Sequence, residues 1–457
     1  MSDSRRFLPS VDKILLRLQS FESSEAIPHC RMVETTRAVL DEYRAPLRGK
    51  DAPSLDEVAQ QVWEMLQQEA RQKLHKVVNA TGIVLHTGLG RAVLPREAMV
   101  AVADLDGCCN VQIDLETGQR GRRDAAIEEL LKTLTGAEAA TVVNNNAGAT
   151  LLVLAALCRH REVVVSRGQL IEIGGSFRLP DVIRESGAKM IEVGTTNKTH
   201  LRDYASAITD QTAVLLHVNP SNYRIVGFAQ QVSTADLVSL KETYPDLLVV
   251  DDLGCGALIN LEQYGLPHEA TVQESLKAGA DVALFSGDKL IGGAQSGIIV
   301  GSKKCIDLIR KHPLARALRV GKFTIAALEA TLRLFLDPTT LLDRNPTLRM
   351  LTISLERLQE RASQLAKRLA PLLSATVVKG FALCGGGALP TVALDTFLVA
   401  IHKEGMSADE LARKLRMGEP CVVTRVESDQ VLIDTRTLLD GEDELVETAV
   451  RNLGTTR

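Results

Sequence analysis

The stretch DVALFSGDKLIGGAQSGIIVG (Asp281–Gly301) decides how the chain is read. A run of apolar or small residues leads to Ser286-Gly287-Asp288-Lys289. Gly292-Gly293 then opens a turn before a second apolar run. Two short apolar runs bounded by glycine are the pattern of strands buried on both faces. A lysine at the lip of such a strand either snorkels to water or is held for covalent chemistry.

The same rhythm extends upstream. AATVVNN, EVVVS, KMIEVG, AVLLHVN and LLVVDDLG join DVALFSG and SGIIVGS as seven candidate strands between residues 139 and 302. LPDVIRESGA, STADLVSLKETY and EATVQESLKAGA between them carry helical spacing. Strand–helix alternation of this kind predicts a mostly parallel seven-stranded sheet covered by helices, an α/β fold.

Outside that block the pattern changes. VDKILLRLQSF and LDEVAQQVWEMLQQEARQKLHKVV predict helices over residues 1–75, the second started by Pro53 and Ser54. Between them Arg31, Arg37, Arg44, Arg48 and Lys50 crowd one segment, which reads as a solvated helix face or as a module that grips phosphates. Beyond 335, TLRMLTISLERLQERASQLAKRLAPLL predicts one long amphipathic helix after Pro346. VALDTFLVAIH, PCVVTRVES and QVLIDTRT predict strands, and SADELARKLRM and EDELVETAVRNL predict helices. The expected organisation is 1–75, a helical module and linker; 76–335, a large α/β domain; and 336–457, a small α+β domain.

Composition narrows the function classes. A net charge of −4 over 457 residues supplies no global field for nucleic acid, so such a partner needs a local basic surface. The longest apolar run, Ala149–Cys158, is half of the roughly 20 residues a membrane helix needs, and the start lacks a signal-peptide pattern. A soluble, cytoplasmic protein without a membrane role is expected. The eight cysteines include no CxxC pair, so neither a disulfide framework nor a zinc site is expected. His86, His200 and His217 are read as hydrogen-bonding residues rather than metal ligands.

Ligands of open parallel sheets bind beyond the carboxyl ends of the strands. Three polar clusters fall there. TVVNNNAGAT places Asn146, Ala147 and Gly148 where a helix begins, leaving backbone N–H groups for a phosphate. LLVVDDLGCG puts Asp251 and Asp252 at a strand end, where a carboxylate can cap a turn or hold a proton on a pyridine nitrogen. Ser286 and Lys289 form the third cluster. A phosphate cup, an acid for a ring nitrogen and a lysine for an aldehyde together describe pyridoxal 5'-phosphate, with the glycines leaving room for it. HTGLGRAVLP lacks the third glycine of a dinucleotide fingerprint, and RVGKFT lacks the upstream glycine of a P-loop. Arg91, Arg316 and Arg319 are candidate forks for a tetrahedral oxyanion, or structural ion pairs.

VVNATGIVLHTGLGRAVLP, VVNNNAGA, SRGQLIEIGGSFRLPDV, VGTTNKTHLRDY, SNYRIVGF, DLGCGALINLEQYGLP, FSGDKLIGGAQSGIIVG and HPLARALRVGKFTIAALEATLRLFL resemble the bacterial selenocysteine synthase family, the L-seryl-tRNA(Sec) selenium transferases. The likeness runs from about residue 5 to the C-terminus. It implies a fold-type I, aminotransferase-like, pyridoxal-phosphate-dependent enzyme. Such an enzyme converts seryl-tRNA(Sec) to selenocysteinyl-tRNA(Sec) with selenophosphate, by β-elimination and selenium addition to a dehydroalanyl ester. By match of motif, Lys289 carries the cofactor and Asp252 partners its ring nitrogen. The same match has Arg91, Arg316 and Arg319 bind selenophosphate and Asp288 assist beside the lysine. The resemblance also implies tRNA binding by the N-terminal module and a homodecamer built from dimers.

Cys255 stands where the family has serine, Gln169 where it has glutamate, GGAQSG for GGPQAG, and HVNPSNYRI for KVHTSNYRI, which puts the loop around Pro220 in question. Two other readings fit the residues: a β-eliminating lyase acting on a small phosphorylated amine, and a non-catalytic tRNA-binding scaffold.

Overall fold

The computed structural model describes residues 8–22, 27–44, 53–70, 73–175, 177–220 and 222–454. Arg48 and Lys50 lie outside them. The chain divides into two compact units, Met1–Lys76 and Val77–Arg457.

The first unit contains three helices, α1 (Val11–Leu18), α2 (His29–Arg44) and α3 (Leu55–Ala70). Each turns an apolar stripe inward, burying Ile14, Leu18, Val39, Leu40, Val58, Val62 and Trp63. Phe21 stacks on Trp63 with ring centroids 5.3 Å apart. Ser54 starts α3 as expected: its hydroxyl accepts the Glu57 N–H while the Glu57 carboxylate accepts the Ser54 N–H. In the basic segment Arg31 pairs with Glu34 and Glu69, and Arg44 with Asp41, so these charges serve the helix surface itself.

The second unit is built on a seven-stranded sheet. Its strands are β1 (Ala139–Val143), β2 (Glu162–Ser166), β3 (Lys189–Val193), β4 (Thr212–Val218), β5 (Leu248–Gly254), β6 (Val282–Ser286) and β7 (Gly297–Gly301). Their order across the sheet is β1-β7-β6-β5-β4-β2-β3. All seven candidate strands are present, each within a residue or two of the expected bounds. Only β7 runs against its neighbours β1 and β6. That reversal follows from the ten residues between Ser286 and Gly297, too few for a helical crossover.

Alternate residues face opposite sides. Ala283 and Phe285 pack into one buried cluster with Ile298 and Val300, and Val282 and Leu284 into another with Ile299 and helix α4 (Asn146–Leu157). Gly256 lies so close that a Cβ there would meet the Phe285 side chain at 2.3 Å.

The C-terminal part carries a four-stranded antiparallel sheet, β8 (Ser374–Leu383), β9 (Ala393–His402), β10 (Arg425–Glu427) and β11 (Gln430–Asp434), ordered β8-β9-β11-β10. Strand β8 has no counterpart among the sequence expectations. It is an edge strand with all but one residue exposed or half-exposed, so it lacks the apolar run that marks the others. The single long helix expected after Pro346 is two helices, Pro346–Thr352 and Leu355–Leu369. The chain turns at Ile353, and Ser354 caps the second helix by accepting the Arg357 N–H.

Candidate active site

The polar clusters meet at the carboxyl edge of β4, β5 and β6. Asp252 is the fifth residue of β5, opposite Val218 of β4 and Leu284 of β6. Its carboxylate is buried. Oδ1 accepts Asn146 Nδ2 at 2.8 Å and the Gly254 N–H at 3.1 Å, and Oδ2 accepts the Thr150 hydroxyl at 2.9 Å. Both side-chain donors come from the first turns of α4. Burial pushes the Asp252 carboxyl above its ordinary range, outweighing these hydrogen bonds and the charge of Lys289.

Asp251 points to the opposite face of β5. Its Oδ1 meets His217 Nδ1 at 2.8 Å, and its Oδ2 accepts the hydroxyls of Thr234 at 2.8 Å and Ser275 at 2.6 Å. The strand pleat thus separates two adjacent acids that sequence alone left open: one braces the fold, and the other faces α4. His217 is hydrogen-bonded as expected, while His200 meets the Asp203 carboxylate through its backbone N–H at 2.8 Å. The Nδ1 atom of His86 is buried without a partner.

Lys289 is 7% exposed, and its amine makes no hydrogen bond or ion pair with a described residue. A buried ammonium without a partner is costly, so the position favours a ligand that takes up the amine. Next to it, Asp288 accepts Arg91 Nη1 at 2.7 Å, with the Asp288 side chain 8% exposed. Arg91 adopts φ 64°, in the left-handed region, at the end of the Gly88–Gly90 turn.

The glycines beside Lys289 serve the loop's own packing. A Cβ on Gly287 would meet Ser296 Oγ at 2.2 Å. Gly292, at φ +71°, would meet Asn345 Oδ1 at 2.5 Å.

At the start of α4, Asn145 caps the helix by accepting the Gly148 N–H at 2.8 Å. The N–H groups of Asn146 and Ala147 have no intrahelical acceptor and remain for an anion. Ser286 is buried, and its hydroxyl bonds to no described residue.

Arg316 lies in the short helix Pro313–Ala317, and Arg319 forms a bridge with Val143 at the end of β1. Two arginines missed in the sequence join them: Arg123 donates to the Val320 carbonyl at 3.3 Å, and Arg120 lies within electrostatic reach of Arg319. The run GQRGRRD (Gly118–Asp124) was the available signal.

Beside Asn219, whose N–H donates to the Asp252 carbonyl at 2.9 Å, opens a cavity of about 480 Å³. Its walls include Tyr223, Arg224, Glu269, Pro390 and Val392. Three of the four departures from the family pattern lie near here and are hydrogen-bonded. Cys255 Sγ donates to Glu269 Oε1 at 3.0 Å, Gln169 Oε1 accepts the Val218 N–H at 3.2 Å, and Asn219, before Pro220, donates to Glu269 Oε1 at 3.0 Å. The Cys255 thiol is pushed well up, first by burial and then by Glu269.

The residues present fit pyridoxal phosphate. Asn146 Oδ1 is a buried acceptor with no donor, beside a carboxylate that burial leaves short of a cation, and Lys289 stands free nearby. With this strand order, the arrangement defines a fold-type I pyridoxal-phosphate enzyme. A solved structure described as D-glucosaminate-6-phosphate ammonia-lyase has the same fold, with a TM-score of 0.58 and 22% identity over 85% of this chain and 97% of that one.

The chain belongs to the L-seryl-tRNA selenium transferase family, whose model matches residues 77–439. It is 45% identical to the L-seryl-tRNA(Sec) selenium transferase of Caldanaerobacter subterraneus subsp. tengcongensis, over 98% of this chain and 97% of the relative. It is 46% identical to that of Desulfomicrobium baculatum over 99% of both.

Proposed function

We propose that this chain converts L-seryl-tRNA(Sec) to L-selenocysteinyl-tRNA(Sec) with selenophosphate as donor. The observation that carries the reading is the family likeness over nearly the full length; the departures noted in the sequence leave Lys289, Asp252 and Asp288 in place. The exchange balances: the seryl hydroxyl leaves with the Cα proton as water, the selenium of selenophosphate bonds to Cβ while a proton returns to Cα, and one water cleaves the P–Se bond to release phosphate, so no net water is formed.

When bound, pyridoxal phosphate supplies an electron sink for the seryl Cα. Asp252, oriented by Asn146 and Thr150, holds the proton at the ring nitrogen. The amine of Lys289 would hold the cofactor, and as a free amine beside the seryl Cα it would take the Cα proton. Asp288, held by Arg91 and next to Lys289 in the chain, would assist departure of the hydroxyl. Arg316 and Arg319 orient the donor anion. Ser286 and the N–H groups of Asn146 and Ala147 hold the cofactor phosphate, with Gly148 giving the helix start its close packing.

The division into 1–75, 76–335 and 336–457 goes with this reading, the first part binding tRNA. The first boundary is supported by Met1–Lys76 forming a compact unit of its own, with Val77–Arg457 as the second. A cytoplasmic homodecamer built from dimers belongs to the same proposal. No helix among the described residues is long and apolar enough to cross a membrane. The test is incubation with seryl-tRNA(Sec) and selenophosphate, followed by identification of the esterified amino acid. Selenocysteine is expected, and serine recovered unchanged contradicts the reading.

A further inference from the structure

Four guanidinium groups gather where β1 ends. The Arg319 backbone bridges Val143, and the Asn144 N–H donates to the Leu318 carbonyl at 2.9 Å, so segment 316–320 is fastened beside the start of α4. From the other side comes loop 105–123. It is folded on itself by the Ile113–Arg120 bridge and by the Gly121 N–H, which donates to the Gln112 carbonyl at 3.0 Å. Lys322 Nζ pins its beginning through the Leu105 carbonyl at 2.9 Å. Arg123 pins its end, with Nη1 on the Val320 carbonyl and Nη2 on Gln112 Oε1, both at 3.3 Å. The Arg123 Nε atom is buried with no acceptor.

These charges are uncompensated. Among the described residues, no carboxylate pairs with Arg120, Arg123, Arg316 or Arg319, whereas Arg122 in the same run pairs with Glu128, and Arg91 with Asp288. The Arg319 guanidinium is pushed below its ordinary value, first by Arg123, then by burial, Arg316 and Arg120. Like charges held this close by backbone ties call for an anion. Two forks match one tetrahedral dianion, so four exceed what a selenium donor alone requires.

We propose that Arg120 and Arg123 are ligand-binding residues which, with Arg316 and Arg319, form one extended site for phosphate-class oxyanions. The inference rests on the function proposed above for the identity of its ligand. Both the selenium donor and the phosphodiesters at the 3' end of the tRNA carry this chemistry. Strand β7 alone separates β1 from β6, the strand leading to Lys289, so the patch lies two strand spacings, roughly 10 Å, along the sheet from that strand.

The test uses the cofactor-loaded full chain and Arg120→Ala, an exposed position, alongside Arg123→Lys, which keeps the charge but loses the fork. The KM values for seryl-tRNA(Sec) and for selenophosphate are measured separately, and inorganic pyrophosphate binding is followed by calorimetry. Arg120→Ala is expected to raise one KM about tenfold, equivalent to about 1.4 kcal/mol, and to weaken pyrophosphate binding by a similar factor. The KM that moves names the source of the anion. Unchanged KM values together with unchanged pyrophosphate binding overturn the proposal. A wild-type protein inactive on seryl-tRNA(Sec) whose pyrophosphate affinity still depends on Arg120 would retain the site and reject the function.

Discussion

Asn146 and Asp252 stand 106 positions apart in the chain and meet at the sheet's carboxyl edge, the amide Nδ2 donating to the carboxylate Oδ1 over 2.8 Å. Under the proposed function, the helix whose first N–H groups would hold the cofactor phosphate thereby also orients the acid for the ring nitrogen.

Without a bound cation, Asp252 is a liability to the fold. Burial raises its folded pKa above the ordinary 3.8, so the folded chain binds that proton more tightly than the unfolded chain. Stability from this group is therefore fullest below 3.8 and falls as pH rises through the raised value. Asp252→Asn is expected to raise the melting temperature of the cofactor-free protein at neutral pH. It is also expected to weaken pyridoxal-phosphate affinity by at least about tenfold, about 1.4 kcal/mol. Thermal melts with and without cofactor check both signs.

Asp251 carries the opposite dependence. Burial pushes its carboxyl up, but His217, Ser275 and Thr234 outweigh that and hold it below 3.8. Its contribution is present above 3.8 and lost as pH falls through the depressed value. Asp251→Asn is expected to cost roughly 1–3 kcal/mol in denaturant unfolding at neutral pH, with the gap to wild type narrowing in acid.

Under the proposed function, the Arg91–Asp288 pair positions the carboxylate that precedes Lys289 in the chain. Arg91→Ala leaves a nearly buried carboxylate unpaired and frees it to turn away. A fall in kcat of about tenfold or more is expected, corresponding to about 1.4 kcal/mol, with partial recovery in Arg91→Lys. Steady-state kinetics at saturating substrates decide it, since a purely structural role would lower the melting temperature and spare kcat.

Cys255 replaces the family's serine yet donates to Glu269 as a hydroxyl would. Cys255→Ser is expected to leave activity within about fivefold, since the net worth of a neutral hydrogen bond is about 1 kcal/mol. A parallel assay of the two proteins tests this.

The sheet was legible because strands buried on both faces read as apolar runs, and Lys289 because a charge at such a strand's end is conspicuous. Asp252 could be separated from Asp251 only through the family motif. The strand pleat that sends one to α4 and the other to His217 leaves no mark in composition. The pairing of Asn146 and Thr150 with Asp252 was hidden for the same reason, as were Arg120 and Arg123: their partners are distant in sequence. Strand β8 escaped because an edge strand need not be apolar, and the break at Ser354 because one cap inside an amphipathic pattern leaves the stripe nearly unbroken.

The central claim is that the Lys289 amine carries pyridoxal phosphate. Its most direct test is mass spectrometry of the borohydride-reduced, cofactor-loaded protein, with peptide mapping. The account predicts a phosphopyridoxyl group on Lys289 and none in Lys289→Ala. A label on another lysine, or an unlabelled protein that still turns over seryl-tRNA(Sec), would contradict it.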